Sequence, residues 1–300
     1  MKHFVIQIIK FMSILAVLLI ILISGTLLIV SKGSFKLPQD KDIVVVGDSH
    51  TECAIDDAIF SRSVNISKSG TAYLYSYVKL KKILNENDHI DTVLLSFIDG
   101  ILDKEMDRWI QDNNRIYGFI PIYFFLLNKE DYFVFKDNSA FIMSILDIPV
   151  KNVRAIFKYI MTRNISYKDL HIGAYQKLDR DKLQADISSQ ENNSVPADIQ
   201  EEYSQYQLDY LLKIVNLCKE KNVELILFKS PTYKPEKYGS GEQLLYYYNK
   251  YLEGVKFIDF SGYPMPDYGY GDIGHLNYKG AEIFSNFLNE NYDEIISNIK

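Results

Sequence analysis

The chain has 300 residues, 47% of them apolar, enough to fill the core of one large domain or two small ones and to exclude a disordered polymer. Its 33 basic and 39 acidic residues leave a net charge of -6, so no nucleic acid is expected as a partner. The cysteines, Cys53 and Cys218, are too far apart for a metal-ligand spacing or a disulfide framework and suit buried thiols; no histidine pair has zinc spacing and no phosphate-binding loop occurs, so neither metal nor cofactor is expected.

The first predicted element is a membrane span. From Phe11 to Val30 the residues are almost all apolar, after Lys2, His3 and Lys10, which suits a helix crossing a bilayer. The run exceeds the apolar region of a cleaved signal peptide, more apolar residues follow Ser24-Gly25-Thr26, and no cysteine sits where a lipoprotein needs one, so a signal anchor is favoured over cleavage. Positive charge before the span puts the N-terminus in the cytoplasm and everything after Lys32 in the periplasm or outside the cell. Residues 1–32 are thus the anchor, 33–41 a linker and 42–300 the main domain.

In that domain Ile43-Val46 reads as a buried strand, followed at once by Gly47-Asp48-Ser49-His50. Further strands are predicted at Val64-Ile66, Thr92-Phe97, Val223-Phe228 and Val255-Phe260. Helical patterns separate them, at Tyr73-Leu84, at Gln207-Lys221 with Leu208, Leu211, Leu212, Val215 and Cys218 on one face, and at Tyr278-Tyr292. Alternating strands and helices imply an α/β parallel sheet with ligands outside the carboxyl ends of its strands. Asp103 to Glu202 breaks the rhythm: an aromatic cluster from Tyr117 to Leu127 opens it and the polar run Gln190-Pro196 closes it. It is expected to be a largely helical insertion whose cluster is either core or a lid and acceptor surface.

Before the last helix stands Asp272-Ile273-Gly274-His275-Leu276-Asn277. A serine hydroxyl at a strand-to-helix turn, an imidazole to take its proton and a carboxylate to hold that imidazole make a nucleophilic triad. Ser49, His275 and Asp272 supply these groups in the chain order Ser, Asp, His with the last two only three residues apart, an order unlike that of chymotrypsin or subtilisin and a spacing unlike that of ordinary α/β-hydrolases. On these two motifs the chain resembles the SGNH (GDSL) hydrolase superfamily. The resemblance covers about residues 42 to 102 and 207 to 292.

It implies a flavodoxin-like three-layer fold with a parallel sheet of about five strands and an acyl-ester reaction on Ser49. It also implies an oxyanion hole from the Ser49 and Gly70 amides, Gly70 standing in Asn65-Ile66-Ser67-Lys68-Ser69-Gly70-Thr71. Asp48, His50 and Asn277 are the candidate substrate contacts, Asn277 having the alternative of capping the last helix with Gly280 nearby. The asparagine of a Gly-x-Asn-Asp motif is absent, Ile98 occupying its place in Ser96-Phe97-Ile98-Asp99-Gly100. Anchor, domain and motifs resemble the membrane-anchored proteins of alginate and other polysaccharide O-acetylation and of teichoic acid D-alanylation. The substrate so implied is a cell-envelope glycan or another acyl ester, and the partner a membrane-bound O-acyltransferase. A catalytically silent glycan-binding scaffold and a membrane-held lipase or lysophospholipase stay open as alternatives.

Overall fold

Four consecutive β-branched residues, every one buried, need a sheet covered on both faces, and Ile43–Val46 (β1) lies in one. The structure is a computed structural model that describes residues 1–190, 202–234 and 241–298. Residues 191–196 of the expected polar run lie outside them. The sheet holds β1, Ser63–Asn65 (β2), Thr92–Ser96 (β3), Glu224–Lys229 (β4) and Lys256–Asp259 (β5), in the order β2-β1-β3-β4-β5. All its pairings are parallel; in register, Val45 faces Asn65 on one side and Leu94 on the other. The α/β parallel sheet expected from the strand and helix pattern is therefore present.

Side chains alternate across a strand. Ile43, Val45, Leu94, Ile226 and Phe228 accordingly join one core cluster with Phe284, Leu288 and Tyr292 of the last helix, Tyr278–Asn298. The opposite face belongs to two helices that pack on each other, Tyr73–Glu86 and Gln205–Lys221. Leu208, Leu211, Val215 and Cys218, four of the five residues expected on one face of the second helix, are buried.

The chain divides into two compact units. One comprises Met1–Phe35 and Gln111–His171, the other Lys36–Ile110 and Ile172–Lys300. The sheet lies in the second. Only 111–171 of the expected insertion belong to the first unit; from Ile172 the chain returns to the sheet unit, where Gly173 and Ala174 run beside the end of β2, Ala174 N–H donating to Ser67 O at 3.1 Å.

In chain order the helices used below are α1 (Lys2–Val30), α2 (Ser49–Ala54), α3 (Tyr73–Glu86), α4 (Glu105–Gln111), α5 (Asn113–Tyr123), α6 (Lys129–Tyr132), α7 (Ser139–Ser144), α8 (Ile148–Lys151), α9 (Val153–Thr162), α10 (Leu183–Gln190), α11 (Gln205–Lys221), α12 (Glu242–Tyr251) and α13 (Tyr278–Asn298). With a mean hydropathy of 2.9 in its most apolar window, α1 is long and apolar enough to cross a membrane. The stretch after it, expected as a linker, is packed: Phe35 is buried against Phe125 in the first unit, and Leu37 N–H donates to Asn87 Oδ1 at 2.7 Å in the second. The first part of the aromatic cluster lies in α5, which accommodates Gly118 and Pro121 and buries Ile116, Ile120 and Tyr123. Tyr123 is therefore core of the first unit and not an acceptor surface.

Candidate active site

Ser49 owes its position to Gly47. A Cβ on Gly47 would lie 2.2 Å from Ser96 Cβ and 2.6 Å from Thr51 Oγ1, so only glycine lets the end of β1 pass this close to the end of β3. The chain then turns into α2 with Asp48 as N-cap, its Oδ1 accepting the His50 N–H at 3.0 Å and the Ser96 hydroxyl at 3.1 Å. Ser49 is the first helical residue, at the carboxyl end of the sheet beside the point where the connections from β1 diverge.

The second motif forms a tight loop around one carboxylate. Asp272 Oδ1 accepts the backbone N–H groups of Gly274 and His275, each at 2.9 Å, and the His275 ring at Nδ1 at 2.8 Å. Its other oxygen pairs with Arg180. The bonds fix the imidazole: with Nδ1 donating to Asp272, Nε2 is the ring's acceptor, and it lies 2.8 Å from Ser49 Oγ. Burial alone would raise the Asp272 pKa, but the hydrogen bond and charge of His275, the Gly274 N–H and Arg180 hold it below its ordinary value, so the group stays a carboxylate at neutral pH.

Beside Ser49, Gly70 has φ +73°, a conformation open to glycine. Its loop is tied to the first strand and helix: Lys68 N–H donates to Gly47 O at 3.0 Å, Thr51 and Ser67 share a 2.9 Å hydroxyl bond, and Glu52 Oε2 accepts the Ser69 N–H at 2.7 Å and also its hydroxyl. Ser49 and Gly70 line a cleft of about 250 Å³, and neither amide N–H donates to an acceptor among the described residues. Such amides are available to a developing oxyanion. Ile98 lines the cleft too and adds no donor. The wall is completed by Asp99, which pairs with the buried Lys229 at 2.7 Å, and by Met106 and Trp109; the Trp109 indole N–H donates to Gly70 O at 3.2 Å while its side chain stays exposed.

His50 and Asp48 reach the cleft as a pair. The His50 ring stacks on His275 with centroids 4.6 Å apart, and its Nδ1 is 3.4 Å from Asp48 Oδ1. Burial pushes the His50 pKa down, yet the charge of Asp48 close to the ring, with the charges of Asp272 and Asp99, raises it overall; burial likewise opposes the ionised Asp48, and His50 and Ser96 hold its pKa low. Of its two expected roles, Asn277 takes the helix cap and not the substrate contact. Its carboxamide accepts from the Lys279 and Gly280 N–H groups and donates to Tyr268 O and Tyr270 O, so every polar atom is engaged in capping α13 and pinning the preceding loop. Gly280 allows that closure, since a Cβ there would stand 2.1 Å from Gly269 O. Cys53, on α2, has its thiol pushed up to about 12, mainly by burial, which leaves it unreactive at neutral pH.

Arg180, Glu52, Lys229 and Trp109 are the site residues that motif reading passes over. Arg180 and Trp109 lie inside the segment taken for an insertion, Lys229 is the last residue of β4, and Glu52 carries a carboxylate whose partner is decided only by the Gly70 loop.

Comparison with known proteins reaches part of this unit. A model of an uncharacterised protein family matches residues 174–298, with no SGNH or GDSL family among the matches. None of the curated proteins compared with the chain matches it. The matched stretch contains Arg180, Asp272 and His275 and leaves Ser49 outside.

Proposed function

We propose that this chain is a membrane-anchored, extracytoplasmic acyl-ester enzyme of SGNH type that moves an O-acyl group, such as acetyl, to or from a cell-envelope polysaccharide. The observation that carries the reading is the pair of 2.8 Å contacts running from Ser49 Oγ through the His275 ring to Asp272. The strand order, which is that of flavodoxin-like sheets, the two amides at the cleft and the apolar α1 support it.

In the reaction Ser49 Oγ attacks the acyl carbonyl as its proton passes to His275 Nε2, and Asp272 stabilises the resulting imidazolium. The oxyanion faces the Ser49 and Gly70 N–H groups. Collapse expels the alcohol, which takes the proton back from Nε2 and leaves an acyl group on Ser49. Water or a sugar hydroxyl then gives its proton to Nε2 and attacks the acyl carbon; as the new intermediate collapses the bond from the acyl carbon to Ser49 Oγ breaks, Oγ takes the proton back from Nε2, and the acid or the acylated sugar leaves. Trp109, exposed at the wall, offers an aromatic face for a sugar ring.

The test is covalent labelling. A fluorophosphonate should modify Ser49 in the folded protein, Ser49→Ala should lose the label, and His275→Ala should slow it while leaving the melting temperature within a few degrees. An unlabelled wild type, or equal labelling of Ser49→Ala, would reject the enzyme and leave the glycan-binding scaffold.

A further inference from the structure

The first unit presents an apolar surface that its own core does not use. Within α7, α8 and α9, Ile142, Val150, Val153, Phe157, Ile160 and Met161 all point outward, with Val150 70%, Phe157 64% and Met161 80% exposed. In α9 the apolar positions 153, 157, 160 and 161 repeat on one face, bordered by Arg154, while Lys158 turns its ammonium to Asp169 at 2.8 Å. A water-soluble surface rarely gathers such residues without a partner.

The place of these helices on α1 says what the partner is. α8, α9 and the turn Ile145–Asp147 pack against α1, whose buried positions are Thr26 and Val30, near its C-terminal end, while nearly every residue before Ile23 is exposed. A helix rises about 1.5 Å per residue, so the apolar stretch Phe11 to Val30 just matches a hydrocarbon core of about 30 Å. Its last turns then lie in the distal leaflet, and whatever packs on them lies at that depth. At the end of α1, Lys32 Nζ meets Tyr159 OH at 3.0 Å and Arg163 stands over the same ring, a basic and aromatic combination suited to a headgroup layer.

We propose that Ser139–Thr162 is an interfacial membrane surface: α7–α9 seat their apolar side chains in the acyl-chain boundary of the leaflet from which α1 emerges, with the basic side chains toward anionic phospholipid headgroups. The inference rests on the anchored reading of α1 and is independent of the chemistry at Ser49.

The experiment uses the full chain in vesicles of phosphatidylcholine and phosphatidylglycerol, with an environment-sensitive fluorophore on a single introduced cysteine: Phe157→Cys for the surface, Leu18→Cys for α1, and Lys219→Cys on the second unit as the aqueous reference. The expected result is blue-shifted emission at position 157 with quenching by spin-labelled lipid at shallow depth, quenching at 18 by deep label, and quenching at 219 only by aqueous iodide. Behaviour of 157 like 219 overturns the proposal even when 18 is embedded, and protection of 157 from both lipid and iodide overturns it in favour of a protein partner or second copy. Failure at 18 alone would reject the anchor, with position 157 still judged by its own quenching.

Discussion

Replacing Asp272 by asparagine tests the proposed mechanism most directly, because the surroundings decide which way the amide points. With its oxygen at the Oδ1 position, the introduced carboxamide keeps the Gly274 and His275 N–H bonds and the ring contact, and turns its NH₂ toward Arg180. The opposite orientation keeps Arg180 but sets an NH₂ against three donors, leaving two backbone N–H groups unsatisfied at about 1–3 kcal/mol each. Losing a partly exposed arginine pair costs only about 1 kcal/mol or less, so the first orientation prevails and the imidazole keeps its tautomer. What is lost is the charge facing the imidazolium. At a separation of about 4 Å between charge centres and an effective dielectric of about 20, that attraction is about 4 kcal/mol, or about a 10³-fold fall in kcat. Steady-state hydrolysis of a small acetyl ester at neutral pH measures it, alongside thermal unfolding to confirm the fold. A loss below about tenfold in a folded Asp272→Asn protein would refute the assigned role of Asp272.

Gly47→Ala should destabilise the second unit by about 1–3 kcal/mol, the usual cost of overpacking, because its Cβ meets Ser96 Cβ at 2.2 Å; chemical denaturation reads the loss, and unchanged stability would contradict the close approach. The pH dependence has two sides. His50, its pKa raised in the folded state, contributes stability fully present below its ordinary 6.5 and lost as pH rises through the raised value, whereas Asp48, depressed, contributes above its ordinary 3.8 and loses it as pH falls. His50→Gln should therefore flatten the decline in melting temperature above pH 6.5, and an identical alkaline decline in the variant would count against the pair. Trp109→Ala should reduce acyl transfer to an envelope glycan more than hydrolysis of a small acetyl ester, since only the larger acceptor reaches the exposed indole; equal losses in both assays would remove Trp109 as an acceptor contact.

What the sequence alone made legible is local. The apolar run from Ile43 to Val46 followed by Gly-Asp-Ser places Ser49 in the turn after a buried strand, and the three-residue step from Asp272 to His275 lets one carboxylate bind both the loop amides and the ring. Strand spacing and helical periodicity likewise led to the parallel sheet, because alternation and the 3.6-residue repeat are written in neighbouring residues. Tertiary structure alone decided the rest. Arg180 reaches Asp272 across 92 positions, Lys229 finds Asp99 across the ends of β3 and β4, and Asn277 is consumed by backbone groups on either side of a turn. Such contacts depend on where separate segments meet after folding, and an ionisable or amide side chain carries no mark in the sequence of the partner that will satisfy it. The same holds for the apolar face of α9: its period is written in neighbouring residues, but that this face stays exposed while the helix packs beside the end of α1 is decided only by the tertiary structure.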